Sequence, residues 1–222
     1  MKSVIFSLKR GGVFSRRRFP SAAELRFTWK RYGVTLIFVL LLLLGIALGA
    51  VYAGGADKAF MKTLDFLFTT NLDARLSRGA IATFCACFAS DFIFLTSVYL
   101  LGVSPWGLPF ELFVILFKGF GTGLTAAYLV SAHSLSGLGF YLLVLLPGTF
   151  LFCLALLSLS AQAFDFSKLL LLRLIRAELP EEPLRPLWLK FSTRFLTSLL
   201  MTFFAAALDA VLWSMFAGAF SL

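Results

Sequence analysis

The stretch Val34–Ala53 reads VTLIFVLLLLLGIALGAVYA and contains no charged side chain. About 20 apolar residues in a helix are enough to cross the hydrocarbon core of a bilayer. Four further apolar runs of similar length follow it, so the sequence predicts five transmembrane helices. The predicted spans cover residues 34–53, 80–101, 108–130, 137–161 and 195–217.

The composition of the whole chain agrees with a membrane protein. Its 222 residues are 60% hydrophobic and 14% charged, whereas soluble domains are about 45–50% apolar and about 25% charged. These values exclude a soluble enzyme and a disordered chain. We therefore predict an all-α fold, a polytopic membrane helical bundle in which a basic N-terminal segment, 1–33, precedes a transmembrane domain, 34–217.

The distribution of Lys and Arg predicts the orientation, because positively charged loops stay in the cytoplasm. Residues 1–33 and the 162–194 loop together hold fifteen Lys and Arg residues, while the 54–79 loop holds four. The prediction is a cytoplasmic N-terminus, a cytoplasmic 162–194 loop and an extracytoplasmic 54–79 loop, in the bacterial cytoplasmic membrane. The net charge of +9 is then explained by topology and anionic lipid, and no nucleic-acid partner is expected.

The extracytoplasmic 54–79 loop carries a short amphipathic pattern. Its apolar residues recur at spacings of four and three, which places them on one face of a helix. This stripe is a candidate partner-docking surface, with contact to lipid or to the bundle as the alternative. It consists of Phe60, Leu64, Leu67 and Phe68.

Four ionisable side chains fall inside the predicted spans: Asp91, Glu111, Lys118 and Asp209. Asp91 precedes the turn between spans two and three by as many residues as Lys118 follows it. In an antiparallel hairpin both would lie at one depth, about 20 Å from the turn, where an ion pair can form. Two interpretations remain open: a neutralised pair that fixes helix association, or an ion or proton path.

Small residues and one proline indicate how the spans pack. Gly119 and Gly123 form a small-xxx-small pattern that lets helices approach closely, and Gly45 and Gly49 repeat it in the first span. Pro147 should kink the fourth span, because it cannot donate a backbone hydrogen bond. The sequence contains no nucleophile–base set, metal-ligand cluster or phosphate loop, so we expect no catalytic residues, metal or cofactor.

The segment 113–123, FVILFKGFGTG, resembles the Lys-Gly-Phe-x-x-Gly segment of the stage II sporulation protein M family. The matching residues are Lys118, Gly119, Phe120 and Gly123. The likeness covers roughly residues 100–170 and extends into Leu146-Pro147. Many members continue with Gln or His at the next position, where this chain has Gly148.

The resemblance implies a non-enzymatic membrane scaffold. Members in endospore-forming bacteria partner two peptidoglycan-degrading proteins, the stage II sporulation proteins D and P, during engulfment of the forespore. Besides these partners we expect contact with membrane lipids, and self-association into a homo-oligomer stays open. The alternative function is a small multipass transporter or channel subunit that uses Asp91 and Lys118; an intramembrane enzyme is disfavoured because catalytic pairs are missing.

Overall fold

The computed structural model describes residues 22–55, 79–175 and 184–216, with side chains from Gly33 onward except that of Ala132. The chain divides into two compact units, residues 1–33 and residues 34–222. The described residues form five α-helices and one π-helical turn, without a strand. They are α1 (Ala22–Ala53), α2 (Ala80–Val103), α3 (Gly107–Phe140), the π-helical turn (Tyr141–Leu145), α4 (Leu146–Ile175) and α5 (Leu184–Phe216).

Within the described ranges, five helical segments are long and apolar enough to cross a membrane, which confirms the predicted five-span all-α bundle. They are Gly33–Ala53, Ala80–Val103, Gly107–Ser131, His133–Ile175 and Leu184–Phe216. The fourth and fifth segments are longer than the predicted spans, since α4 continues to Ile175 and α5 already begins at Leu184. The described part of the 162–194 loop is therefore helical.

The centre of the bundle is formed by α2, α4 and α5, which pack against one another. Their largest cluster of buried side chains is Phe94, Leu95, Val98, Phe152, Leu156, Leu159, Ala163, Phe166, Phe191 and Ala205. A smaller cluster joins α1 to α3 and α4 through Phe38, Leu42, Ile115 and Leu157. Leucines such as Leu40 and Leu43 are more than half exposed, as expected where lipid tails solvate the outer surface.

A tight turn connects α2 to α3. The amide of Gly107 donates to the Ser104 carbonyl at 3.1 Å, and a Cβ at Gly107 would clash with the Leu101 carbonyl oxygen. The Ser167 hydroxyl of α4 donates to the same Ser104 carbonyl at 2.6 Å. This turn fixes the register of the α2–α3 hairpin and so the relative depth of their side chains.

The helical path of α3 breaks at Ser134, where φ is 52° and ψ is −129°. A Cβ at Gly137 would clash with the Leu129 carbonyl oxygen. Two residues eight positions apart lie about 12 Å apart along a straight helix, so the chain folds back at Ser134. The break separates the third membrane segment from the fourth.

The fourth membrane segment contains the π-helical turn directly before Pro147. The Leu146 amide donates to the Tyr141 carbonyl, five residues earlier, in place of the usual four. A proline ring crowds the carbonyl four residues before it, and a π-helical turn accommodates such an interruption. The irregularity expected from Pro147 thus takes the form of a widened turn at Tyr141–Leu145.

Candidate functional site

An ion pair between α2 and α3 lies inside the bundle. The Lys118 Nζ atom is 2.7 Å from Asp91 Oδ1, and the two side chains are only 7% and 16% exposed. Equal sequence spacing from the turn predicts that the two side chains lie at one depth, and in the structure they are in direct contact. The pair is a charge-assisted hydrogen bond that joins adjacent helices.

Two aromatic rings complete the environment of the Lys118 ammonium. Its Nζ atom lies 4.8 Å from the ring centroid of Phe94 on α2 and 4.5 Å from that of Phe152 on α4. Both distances are within the range of a cation–π interaction. The ammonium therefore links three helices, α2, α3 and α4, whereas the sequence indicated two.

The Asp209 side chain of α5 lies close to α2 and α4. The Cys87 thiol donates a hydrogen bond to Asp209 Oδ2 at 3.2 Å. A Cβ at Gly148 would lie 3.0 Å from the Asp209 Cβ. Glycine at position 148 therefore leaves the space that the Asp209 side chain occupies. The sequence alone indicates no partner for Asp209.

A polar cavity of about 60 Å³ lies between α2, α3, α5 and the start of α4. A water molecule needs about 10–15 Å³ of such volume, so the cavity has room for several. The ion pair and Asp209 both face it. The lining residues are Cys87, Asp91, Lys118, Gly121, Thr122, Thr125, Tyr141, Leu145, Gly148, Thr149, Ala205, Ala206 and Asp209.

Three threonines in the lining have their hydroxyl hydrogens committed to the backbone. Thr122 donates to the Lys118 carbonyl at 3.0 Å and Thr125 to the Gly121 carbonyl at 2.9 Å. Thr149 donates to the Leu145 carbonyl. Sequence reasoning missed these residues, although Lys118, Thr122 and Thr125 recur at spacings of four and three, the spacing of one helix face.

Glu111 does not line the cavity. It is fully buried and precedes Lys118 by seven residues, about 10 Å along the helix axis. Within the described part of the chain, neither of its carboxylate oxygens has a hydrogen-bond partner. The four predicted intramembrane charges therefore separate into a group of three, Asp91, Lys118 and Asp209, and the solitary Glu111.

The two small-xxx-small patterns meet each other. A Cβ at Gly45 or Gly49 would clash with a carbonyl oxygen of α3, and one at Gly119 or Gly123 would clash with a carbonyl oxygen of α1. The backbones of α1 and α3 are thus nearly in contact, which permits Cα–H···O contacts between them. Each pattern alone is weak evidence, but together they define one helix crossing.

The Lys-Gly-Phe-x-x-Gly segment therefore serves several helix contacts. Lys118 bonds to α2, while Gly119 and Gly123 pack on α1. The Phe120 ring lies 5.8 Å from the Tyr52 ring of α1. The spacing of the motif thus directs the lysine and the glycines of one helix to different neighbours.

Two further predictions concern other residues. The candidate docking stripe, Phe60, Leu64, Leu67 and Phe68, lies outside the described residues. In the described ranges, no group of three or more His, Cys, Asp or Glu side chains is arranged to hold a metal ion.

Among known proteins, no curated protein and no solved structure matches the chain. The family model described as stage II sporulation protein M matches residues 35–212, a range that begins in the first membrane segment and ends in the fifth. Since this match covers most of the chain and includes the ion pair, the glycine crossing and Pro147, the chain belongs to the stage II sporulation protein M family.

Proposed function

We propose that this protein is a non-enzymatic scaffold of the bacterial cytoplasmic membrane that holds peptidoglycan hydrolases at the septal membrane during endospore formation. The observation that carries the proposal is the family match over residues 35–212, which points to a sporulation-related membrane protein. Its partners in this proposal are the stage II sporulation proteins D and P, as the family resemblance implies.

The geometry of the intramembrane charges supports a structural role for them. Lys118 and Asp91 neutralise each other at 2.7 Å, and the ammonium is flanked by the rings of Phe94 and Phe152. A buried pair of this kind specifies which helices associate. A rigid bundle with a fixed helix arrangement suits a protein whose task is to present surfaces to partners.

The outer loop is the proposed docking surface for the hydrolases. In the predicted orientation the 54–79 loop lies on the side where peptidoglycan is degraded. Aromatic and aliphatic residues along one helix face fill a groove on a partner in many complexes. Phe60 and Phe68 are the two aromatic members of the stripe.

The test is co-purification from sporulating cells. The double substitution Phe60→Ser and Phe68→Ser should leave the protein inserted, because neither residue belongs to a span predicted from the sequence. It should reduce co-purified hydrolases and stall engulfment. Phe66→Ser is the matched control, since residue 66 falls on the opposite face of the predicted helix. Full recovery of hydrolases with the double variant would remove this loop as the docking site.

The alternative function is that of a transporter or channel subunit, and the polar cavity beside the ion pair favours it. The two functions differ in what Lys118 and Asp91 must do. A scaffold that retains its abundance should retain partner binding when both residues are replaced by Ala. A transport subunit should lose ion flux in the same variant while its abundance and its partners are unchanged.

A further inference from the structure

A groove separate from the polar cavity lies between α4 and α5, towards the C-terminal end of α4 and the N-terminal end of α5. Its polar side chains are Gln162 and Asp165 of α4 and Lys190 of α5, and its volume is about 200 Å³. A water molecule needs about 10–15 Å³ of such volume. The groove therefore has room for a ligand much larger than water.

The two charged side chains of the groove have opposite signs and do not neutralise each other. Asp165 and Lys190 are both exposed, and among the described residues neither side chain forms an ion pair or a hydrogen bond. The Gln162 amide donates to the Ser158 carbonyl at 3.0 Å, which leaves the amide oxygen of Gln162 as an acceptor. The groove thus offers an ammonium on its α5 side and two kinds of oxygen acceptor on its α4 side.

Apolar side chains form the rest of the lining. Phe166 and Phe191 are buried, and their rings stack with 5.2 Å between the centroids. Leu169 and Leu187 are half-buried and line the same groove. A ligand that fills the groove therefore needs an apolar part next to its charged part.

The groove lies at the depth where the uncharged surface of both helices ends. In α4 no charged residue precedes Asp165, and in α5 none lies between Arg194 and Asp209. The exposed Trp188 precedes Lys190 by two residues, and tryptophan is enriched at membrane–water interfaces. In the predicted orientation this depth is the headgroup region of the cytoplasmic leaflet, so the molecules that surround the groove are membrane lipids.

We propose that the groove binds one molecule of phosphatidylethanolamine. The Lys190 ammonium binds the lipid phosphate, the ethanolamine ammonium donates to Asp165 and Gln162, and the apolar part of the lipid lies against Leu169 and Leu187. Phosphatidylglycerol has no cation for the Asp165 carboxylate, and the trimethylated ammonium of phosphatidylcholine has no N–H group to donate. The proposed site is independent of the scaffold function, so either proposal can fail without the other.

The experiment uses the full chain, purified in detergent and freed of native lipid. Native mass spectrometry counts the bound lipids during titration with phosphatidylethanolamine, phosphatidylcholine or phosphatidylglycerol of identical acyl chains. We expect one tightly bound phosphatidylethanolamine per protein, with an affinity about tenfold above that for phosphatidylcholine, the change that the loss of one charge-assisted hydrogen bond produces. The Tm, followed by tryptophan fluorescence, should rise with occupancy.

Three variants locate the site. Asp165→Asn should reduce the affinity for phosphatidylethanolamine to that for phosphatidylcholine, whereas Lys190→Gln should weaken both lipids together, because both carry the phosphate. Lys168→Gln is the matched control, since Lys168 is an exposed lysine of α4 outside the lining, and it should keep wild-type binding. All three residues are exposed, so without lipid each variant should keep the wild-type Tm.

Several results would overturn the proposal. Equal affinity of the wild-type protein for phosphatidylethanolamine and phosphatidylcholine would show that the ammonium is not recognised, and a preference that persists in Asp165→Asn would place the lipid elsewhere. Tighter binding of phosphatidylglycerol would make the groove a site for anionic lipid. Glycerophosphoethanolamine, the same headgroup without acyl chains, should bind far more weakly, and binding as tight as that of the lipid would assign the groove to a soluble ligand.

Discussion

Lys118 and Asp91 illustrate how single residues specify a contact within a bilayer. Each charge alone is unfavourable by about 2.5–3.5 kcal/mol at the centre of a spanning helix, so an insertion-competent hairpin must bring the two together. The short turn after Val103 sets the register that does so, with a final distance of 2.7 Å. The ion pair therefore forms only when the α2–α3 hairpin has the correct register.

Removal of either member should destabilise the bundle. Lys118→Ala leaves a buried carboxylate and Asp91→Ala leaves a buried ammonium, each at a cost of about 3–5 kcal/mol. The double substitution removes both charges and should recover part of that loss. Membrane abundance by immunoblot and Tm in detergent measure the effect.

The matched control for this prediction is Lys190→Ala, which removes an exposed lysine of α5. It should change neither abundance nor Tm. If both single variants at 91 and 118 behave like this control, the pair does not stabilise the fold.

Ser134 has a backbone conformation with positive φ, which residues other than glycine rarely adopt. Its angles, φ 52° and ψ −129°, match the first central position of a type II′ turn, where glycine is preferred. A non-glycine residue there costs of the order of 1–3 kcal/mol. Ser134→Gly should therefore raise stability by about 1 kcal/mol and increase Tm, while the branched Ser134→Val should lower it.

At the level of elements, the α1–α3 crossing holds the first span to the bundle. The glycines at 45, 49, 119 and 123 bring the two backbones so close that any Cβ would overlap a carbonyl oxygen of the other helix. Most of the α1 surface faces lipid, which provides no hydrophobic force between helices. Close backbone packing at the glycines, together with the buried cluster around Phe38 and Leu42, therefore holds α1.

A large side chain at this crossing should separate the helices. Gly49→Leu places its Cβ against the Phe120 carbonyl, and we expect a loss of about 1–3 kcal/mol from overpacking. Gly55→Leu is the control, since no atom lies within 4 Å of a Cβ at that position. Equal Tm values for the two variants in detergent would contradict the close crossing.

At the level of the whole molecule, the five spans among the described residues predict that the two ends of the chain lie on opposite sides of the membrane. Fifteen Lys and Arg in segment 1–33 and loop 162–194, against four in loop 54–79, predict that the N-terminus is cytoplasmic. Reporter fusions at Leu222 should therefore give an extracytoplasmic signal, and fusions within 163–194 a cytoplasmic one. A cytoplasmic signal at Leu222 would invalidate the five-span topology or its orientation.

Much of the fold follows from the sequence because a bilayer acts on each segment separately. Apolar runs such as Val34–Ala53 are long enough to span by themselves, so the five membrane helices can be predicted from local composition. The Lys118–Asp91 pair could also be predicted from the sequence, because residues equally far from a short turn lie at the same depth in the two helices of a hairpin. The segment around Lys118 was enough to indicate the family.

Only the tertiary structure decided which helix faces meet. Cys87 and Asp209 are 122 residues apart in sequence and 3.2 Å apart in space, and no local pattern connects them. The pairing of Gly45 and Gly49 with Gly119 and Gly123 is equally non-local. Lipid is as apolar as the side chains it surrounds, so hydropathy does not indicate which apolar face of a helix packs against another helix. The cavity between four packed elements forms only when van der Waals contacts have selected one arrangement of the helices.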